Sequence, residues 1–204
     1  MIFITAFAAG AAMLNAETLL IPDDYADIQS GINAAGEGDT VLVADGYYSG
    51  TGNHDLDFQG KDLTLKSSGG YENCIIDGNE YPHLISLQSG ETAASVIEGF
   101  TFTSAYNCGI LLNGASPVIK HCLIEQNFGS GIELYASQAI INGCIMAYNS
   151  AANGGGILID NSSPVIANCT FRTNAASRGG AIFVWNSTAD ITNSIFYYNL
   201  ATGG

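Results

Sequence analysis

A segment of ten residues recurs four times in the second half of the chain, and each copy ends in Asn. The four copies are VIKHCLIEQN (118–127), IINGCIMAYN (140–149), VIANCTFRTN (165–174) and DITNSIFYYN (190–199). Successive copies start 22, 25 and 25 residues apart. A repeat of this length is typical of stacked supersecondary units, so the chain is predicted to form a solenoid.

The spacing of apolar residues within a unit predicts strands. Ile157 and Ile159 are two residues apart, as are Ile182 and Val184, and a period of two is that of a β-strand. The alternation breaks just before the Cys position of each unit, at a Gly, His or Asn, and these residues tolerate a left-handed backbone. Each unit is therefore predicted to hold three short strands, joined by one tight corner and two polar turns. The predicted corner residues are Gly99, His121, Gly143, Asn168 and Asn193.

The longer units differ from the shorter ones by three residues in one place. FGS of the short unit becomes SAANG or AASRG between the closing Asn and the next Gly-Ile segment. We expect this insertion to lengthen a single loop.

Three of the five cysteines occupy one position of the repeat. Cys122, Cys144 and Cys169 are 22 and 25 residues apart, so they are expected to stack inside the column roughly 4.8 Å from one another. Such thiols pack as small hydrophobes, with a disulfide as the alternative, and parallel side chains do not converge on a metal. Cys74 and Cys108 lie outside this ladder, and their pairing stays open.

The closing asparagines form a second ladder with the same intervals. Stacked Asn side chains are able to bond along the column and to satisfy the backbone of the turns, so a structural role is predicted. The ladder consists of Asn127, Asn149, Asn174 and Asn199.

Two groups of motifs resemble known families. GDTVLVADGYYSG, GKDLTL, ENCIIDG and SVIEGFTF, all within residues 38–102, resemble the first rungs of secreted bacterial members of the right-handed parallel β-helix, or pectin lyase-like, family. GGAI (179–182) and FRTN (171–174) resemble repeats of polymorphic outer-membrane proteins. The resemblance covers residues 17–204 and implies an all-β, right-handed parallel β-helix with three short strands per rung and about seven rungs. That family contains lyases, hydrolases, epimerases and non-catalytic surface proteins, so the resemblance implies no single activity.

The first 16 residues have the features of a signal peptide. They are apolar and small and end in LNA before Glu17, so a secreted or outer cell-surface bacterial protein is expected. No Lys or Arg precedes the apolar stretch, so either the true start lies upstream or the reading frame is truncated. A membrane span is the alternative, but the stretch is short for one, and we expect no transmembrane segment in the mature chain.

Residues 17–37 are predicted to form a lead-in and a short helix that caps the column. Ile28, Ile32 and Ala35 have helical spacing, and Asp23 or Asp24 is the predicted cap. Residues 38–204 are predicted to be the β-helix. This part is expected to be incomplete at its C-terminus, with further repeats or a sorting domain following, because the chain stops at GG, where the next GGAI motif would begin.

The outward positions of the Gly-Ile strands carry the candidate functional residues. Alternation turns Ile157 and Ile159 inward and leaves Leu158 and Asp160 outward. Equivalent positions in the other units form two outward rows. The first row is Leu111, Glu133, Leu158 and Phe183, and the second row is Asn113, Tyr135, Asp160 and Trp185.

The family resemblance implies a substrate groove over these strands and the variable loop before them, flanked by Arg172 and Arg178. Tyr135, Phe183 and Trp185 are predicted to bind carbohydrate, because an aromatic face suits the apolar face of a sugar ring. The alternative is that these side chains only decorate the surface of a solenoid.

If the chain is an enzyme, a polysaccharide lyase or a glycoside hydrolase is the expected class. Glu133 and Asp160 lie on consecutive rungs and are the candidate acid and base, and Arg178 is the third candidate catalytic residue.

The charge balance limits the partners. Five Lys and Arg residues against 19 Asp and Glu give a net charge of −14, which repels nucleic acid and also polyuronates unless calcium intervenes. No metal site or cofactor is predicted, and calcium is left open. Residues 71–92 leave room for irregular structure, where a cation or sugar site is conceivable without any recognised ligand spacing. The polar residues of this kind are His54, Asp55, Asp77, Glu80 and His83.

Three functions from different classes remain open. The favoured one is a secreted or cell-surface scaffold, adhesin-like, that contacts polysaccharides or cell-surface glycans without catalysis. Lyases of this fold build clefts from long loops, whereas these loops vary by three residues, which disfavours the enzyme alternative. The third is a protein-interaction module that docks through its outward apolar residues Leu123, Ile145 and Ile195.

Overall fold

The computed structural model describes residues 16–203, which wind into one column of parallel strands. The predicted signal peptide lies outside the described residues, apart from Ala16. None of the helical structure between residues 16 and 203 has the length and hydropathy that a membrane span requires. The column has about seven turns and three long sheets along its sides, so the predicted all-β solenoid is confirmed.

Each of the three predicted strands of a unit contributes to its own sheet. Sheet A contains Thr18–Ile21, Thr40–Val43, Thr64–Ser67, Val96–Glu98, Val118–Lys120, Ile140–Asn142, Val165–Ala167 and Asp190–Thr192. Sheet B contains Gly46–Ser49, Cys74–Asp77, Thr101–Thr103, Leu123–Glu125, Ile145–Ala147, Thr170–Arg172 and Ile195–Tyr197. Sheet C contains His83–Leu87, Cys108–Asn113, Ser130–Tyr135, Ile157–Asp160 and Ile182–Trp185.

A fourth sheet, sheet D, occupies the place where the sequence predicts only a longer loop. It contains Ser150–Asn153, Ala175–Arg178 and Leu200–Ala201. The inserted residues of successive units lie one above another, so their backbone groups pair and an extended strand forms. The prediction of a simple loop is therefore wrong for these units.

The tight corners between sheets A and B have the predicted left-handed backbone. The φ angle is +83° at Gly99, +52° at His121, +65° at Gly143, +56° at Asn168 and +45° at Asn193. The corner lets the chain turn from one sheet into the next within a single residue, so the inward alternation of both strands is kept.

Identical inward residues stack along the column. Ile110, Ile132, Ile157 and Ile182 pair in register in sheet C, and the first three are fully buried. Cys122, Cys144 and Cys169 are likewise buried, and all five thiols are free in the part of the chain that the structure describes. Burial raises the pKa of the Cys144 thiol far above its usual value, and that of Cys74 to about 12.

The N-terminal helix runs from Ile28 to Ala34, within the predicted segment. Its buried residues Ile28, Gly31 and Ile32 face the first strands of sheet A, where Gly31 lies against the side chains of Ile21 and Val41. The helix therefore covers the interior at this end of the column.

The helix cap differs from the predicted one. The Asp27 carboxylate accepts the backbone N–H of Ser30 at 2.8 Å and is the N-cap, whereas Asp24 accepts the N–H of Leu20 within the preceding turn. That turn exists because Thr18–Ile21 pairs with Thr40–Val43, so sheet A begins before residue 38. The turn takes Asp23 and Asp24 out of reach of the helix.

Candidate functional site

The outward residues of sheet C form the floor of a groove. Glu133 pairs in register with Leu111 and Leu158, and Tyr135 pairs with Asn113 and Asp160. A concave space of about 730 Å³ lies above the middle of the sheet, and a second of about 280 Å³ adjoins it toward the later rungs. The two spaces share Tyr135, Asn153 and Leu158, so they form one continuous groove. Sheet D forms part of its wall.

Glu133 sits in the middle of this floor and is held by two hydroxyl groups. The Tyr135 hydroxyl donates to Glu133 Oε2 at 3.1 Å. The Ser130 hydroxyl lies 3.3 Å from Oε1 and 3.1 Å from the carbonyl of Asn153, so its single proton is shared between these two acceptors. Burial and the neighbouring Glu133 carboxylate raise the pKa of Tyr135, so its phenol stays protonated and remains a donor. Glu133 thus has neutral partners and acceptor capacity left for a ligand.

Asp160 lies one rung further along and is held separately from Glu133. Its Oδ1 accepts the side-chain amide of Asn161 at 2.8 Å. The two carboxylates share no hydrogen-bond partner among the described residues, so their use as an acid and base pair stays a prediction.

Phe183 and Trp185 form a flat aromatic surface at the far end of the groove. Their ring planes differ by 10° and their centroids are 6.5 Å apart, and Trp185 is 60% exposed. The guanidinium of Arg178 lies 5.0 Å from the centre of the Phe183 ring, while its Nε donates to Asn153 Oδ1 at 2.8 Å. These three side chains line the same space as Tyr135 and Asp160. The structure therefore brings all the predicted carbohydrate-binding residues together, and their binding role stays a prediction.

Arg172 does not reach the groove. It lies in the strand Thr170–Arg172 of sheet B, where its guanidinium is 4.8 Å from the centre of the Tyr148 ring. The predicted flanking position was wrong because Arg172 precedes the turn into sheet D rather than following it.

The repeat pattern did not predict two large aromatic residues of the groove wall. Tyr106 and Phe128 line the larger space, with 63% and 61% of their surfaces exposed. They are 22 residues apart, and each opens the turn that leads into a strand of sheet C. That shared phase was the available signal, but it is weak because it occurs in only two units.

Part of the predicted polar cluster does assemble, near the first rungs. Asp55 lies between two imidazoles, with Oδ2 3.5 Å from His54 Nδ1 and Oδ1 3.4 Å from His83 Nδ1. The ring of His54 stacks on Tyr81 with centroids 3.6 Å apart, and neither ring nitrogen has a hydrogen-bond partner within residues 16–203. His83 also lines the groove.

Asp77 and Glu80 do not join this cluster. Asp77 Oδ1 accepts the N–H of Asn79 within its own turn, and Glu80 is exposed. No three His, Cys, Asp or Glu side chains in the described range gather in a way that would hold a metal ion.

The chain is similar in fold to several proteins that act on polysaccharides. A family model described as a right handed beta helix region matches residues 28–200. An alginate lyase from Paenibacillus sp. str. FPU-7 has a TM-score of 0.63 at 16% identity, over 90% of this chain and 77% of the lyase. The pectate lyase Pel9A has a TM-score of 0.58 at 14% identity, over 86% of this chain and 50% of that enzyme. A pectin methylesterase from Aspergillus niger has a TM-score of 0.50 at 13% identity, over 93% and 88%. No curated protein sequence matches the chain.

Proposed function

The chain belongs to the right-handed β-helix family, and on that premise we propose that it is a secreted or cell-surface scaffold that binds a glycan in the groove over sheet C without catalysis. The observation that carries the proposal is the flat surface of Phe183 and Trp185 beside Arg178, inside a groove whose floor also carries polar side chains. Sugars have an apolar face and a rim of hydroxyl groups, so an aromatic surface beside acceptors suits them.

Electrostatics and loop length favour binding over catalysis. Glu133 and Asp160 are held by separate neutral partners, and the three-residue insertion beside the groove forms the short strands of sheet D. Between residues 83 and 185 the groove is therefore an open surface, which suits recognition better than chemistry that requires exclusion of water.

The test is binding of the purified chain to a panel of immobilised polysaccharides, with and without calcium. We expect at least one ligand, and we expect Trp185→Ala to weaken its binding about tenfold, since loss of a stacking contact costs about 1.4 kcal/mol. Tyr47→Ala is the control, because Tyr47 is 63% exposed on a strand of sheet B and lies away from the groove. Absence of binding to the whole panel would sink the proposal.

A polysaccharide-active enzyme is the second candidate, favoured by the carboxylates on the groove floor. The solved structures of similar fold include two lyases and an esterase, which makes this class worth measuring. New reducing ends or unsaturated products from a polysaccharide would establish it, provided that Glu133→Gln or Asp160→Asn abolishes their release. In that case the non-catalytic proposal fails.

A further inference from the structure

The groove carries a second aromatic surface at the end opposite Phe183 and Trp185. Tyr106 and Phe128 are about as exposed as Trp185 and face the same groove. Their backbones are anchored to adjacent rungs, since the N–H of Phe128 donates to the carbonyl of Ala105 at 2.8 Å. Two large aromatic side chains exposed on the wall of one concave space are expected to contact a ligand.

The distance between the two aromatic surfaces sets a minimum length for a glycan that contacts both. Tyr106 and Phe128 precede the second and third strands of sheet C, and Trp185 ends the fifth. Trp185 is therefore three rungs from Tyr106, or roughly 14 Å along the column at the usual strand spacing, and it is also displaced across sheet C, so roughly 14 Å is the minimum separation. One sugar of an extended glycan advances by a distance comparable to one rung, so a glycan needs at least about four sugars to contact both surfaces.

The charges between the two surfaces select against anionic chains. Glu133 lies on the floor between them with only hydroxyl partners, and Asp160 follows it. Arg178 is the only Lys or Arg that lines either space within the described chain, and it lies beside Phe183 at the far end, with its Nε donating to Asn153. A polyuronate would place a carboxylate on each sugar, and those near Glu133 would meet a second negative charge, with Arg178 available only at the far end of the groove; the net charge of −14 adds to the repulsion.

From this geometry we propose that the groove binds an extended, uncharged glycan of at least four sugars, held at its two ends by Tyr106 with Phe128 and by Phe183 with Trp185. The polar floor between them takes the sugar hydroxyls, which donate to the free lone pairs of the Glu133 carboxylate. This inference rests on the proposed glycan-binding function and names the class of its ligand. It differs from the substrates named for the lyases of similar fold, which are alginate and pectate.

The test is calorimetric titration with cello-, manno- and xylo-oligosaccharides of two to six sugars, and with oligogalacturonates of the same lengths. For at least one neutral series we expect affinity to rise at least tenfold from the dimer to the tetramer and then to level off. At low salt the tetragalacturonate is expected to bind at least tenfold more weakly than the neutral tetramer. The Glu133→Gln variant should bind the tetragalacturonate more tightly, so that the difference in affinity becomes smaller.

The second aromatic surface has its own signature in the same series. Phe128→Ala and Tyr106→Ala should each lower the affinity of the tetramer about tenfold, while binding of the dimer at the Trp185 surface stays unchanged. Both residues are exposed, so the variants are expected to fold, and Tyr47→Ala is the control with matched exposure.

The outcomes distinguish failure of this inference from failure of the proposed glycan-binding function. Affinity that does not grow beyond two sugars, equal loss for dimer and tetramer in Phe128→Ala, or tighter binding of oligogalacturonates overturns the inference and leaves glycan binding in place. If none of the neutral series binds, the inference fails, and the polysaccharide panel then decides whether the proposed function fails as well.

Discussion

The asparagine ladder shows how single residues hold the column together. Asn149 Oδ1 accepts both the backbone N–H and the side-chain amide of Asn127, at 3.1 and 2.9 Å, and its own amide donates to the carbonyl of Ile124 at 3.0 Å. The same pattern links Asn149 to Asn174, and all three side chains are buried. Each Asn thus satisfies a turn of two neighbouring units in a place that water does not reach.

Removing one member of the ladder leaves buried polar groups without partners. We expect Asn149→Ala to lower the free energy of unfolding by about 3 kcal/mol, because the N–H of Asn127 and the carbonyl of Ile124 each lose a bond and such groups cost about 1–3 kcal/mol each. Urea denaturation measures the change. Asn113→Ala is the control, since Asn113 is exposed at the end of a strand, and a similar loss there would contradict the role given to the ladder.

Some left-handed backbone positions could not be predicted from the residue type. The residue before each ladder Asn also has a left-handed backbone, with φ of +55° at Tyr148, +56° at Thr173 and +54° at Tyr198. Tyr and β-branched Thr seldom adopt it, so their identity argues against a corner there. The hydrogen bonds of the following ladder Asn hold this corner in place. Because those bonds are made to a neighbouring unit, the residue type at the corner does not predict its backbone conformation.

Among the elements, sheet D does most to shape the groove. Its strands pair in register, with Asn153 beside Arg178, and the bond between these side chains holds the guanidinium over Phe183. The shorter unit before them lacks this strand and still keeps its place in sheets A, B and C. The insertion is therefore dispensable for stacking and serves the wall of the groove.

Deleting residues 151–153 tests that division of roles. The deletion restores a 22-residue unit, so we expect circular dichroism to show retained strand content and urea denaturation to stay cooperative. Glycan binding should fall at least tenfold, because Arg178 loses Asn153 and the wall opens. A variant with Asn153→Ala alone should show part of that loss, and full binding by the deletion variant would contradict the assignment.

Over the whole molecule, the net charge of −14 acts against the compact state. The described residues contain one ion-paired group of Lys and Glu side chains, in which Glu98 lies 3.4 Å from Lys66 and 3.2 Å from Lys120. Those two ammonium groups outweigh burial and lower the pKa of Glu98. The attraction within this one group is small beside the repulsion among 19 acidic residues, so repulsion dominates the electrostatic free energy.

Screening this repulsion should stabilise the protein. Between 10 and 300 mM NaCl at pH 7 we expect the melting temperature to rise by about 3 °C, a shift that corresponds to about 1 kcal/mol for a chain of this size. Differential scanning calorimetry measures the shift. A variant with the exposed residues Glu72→Gln and Asp190→Asn should gain less from salt, and a melting temperature that falls with salt would show that the ion pairs outweigh the repulsion.

The pairing of the candidate site residues followed from the repeat where the repeat was regular. Glu133, Tyr135, Asp160 and Trp185 could be placed in neighbouring outward rows, because a constant interval fixes both the register and the face of each strand. The contact of His83 with Asp55 could not be placed, since the early units have unequal lengths and their turns follow no common pattern.

The solenoid, its three main faces and the side chains that point inward could all be predicted from the repeat. Each inward side chain must pack against the equivalent side chain of the next unit, so every unit repeats the same inward pattern. The folded chain was needed to find the fourth sheet, the aromatic wall of Tyr106 and Phe128, and the partners of Glu133. These depend on where turns of different units come to lie beside one another, and outward side chains are free to vary because no neighbour is required to match them.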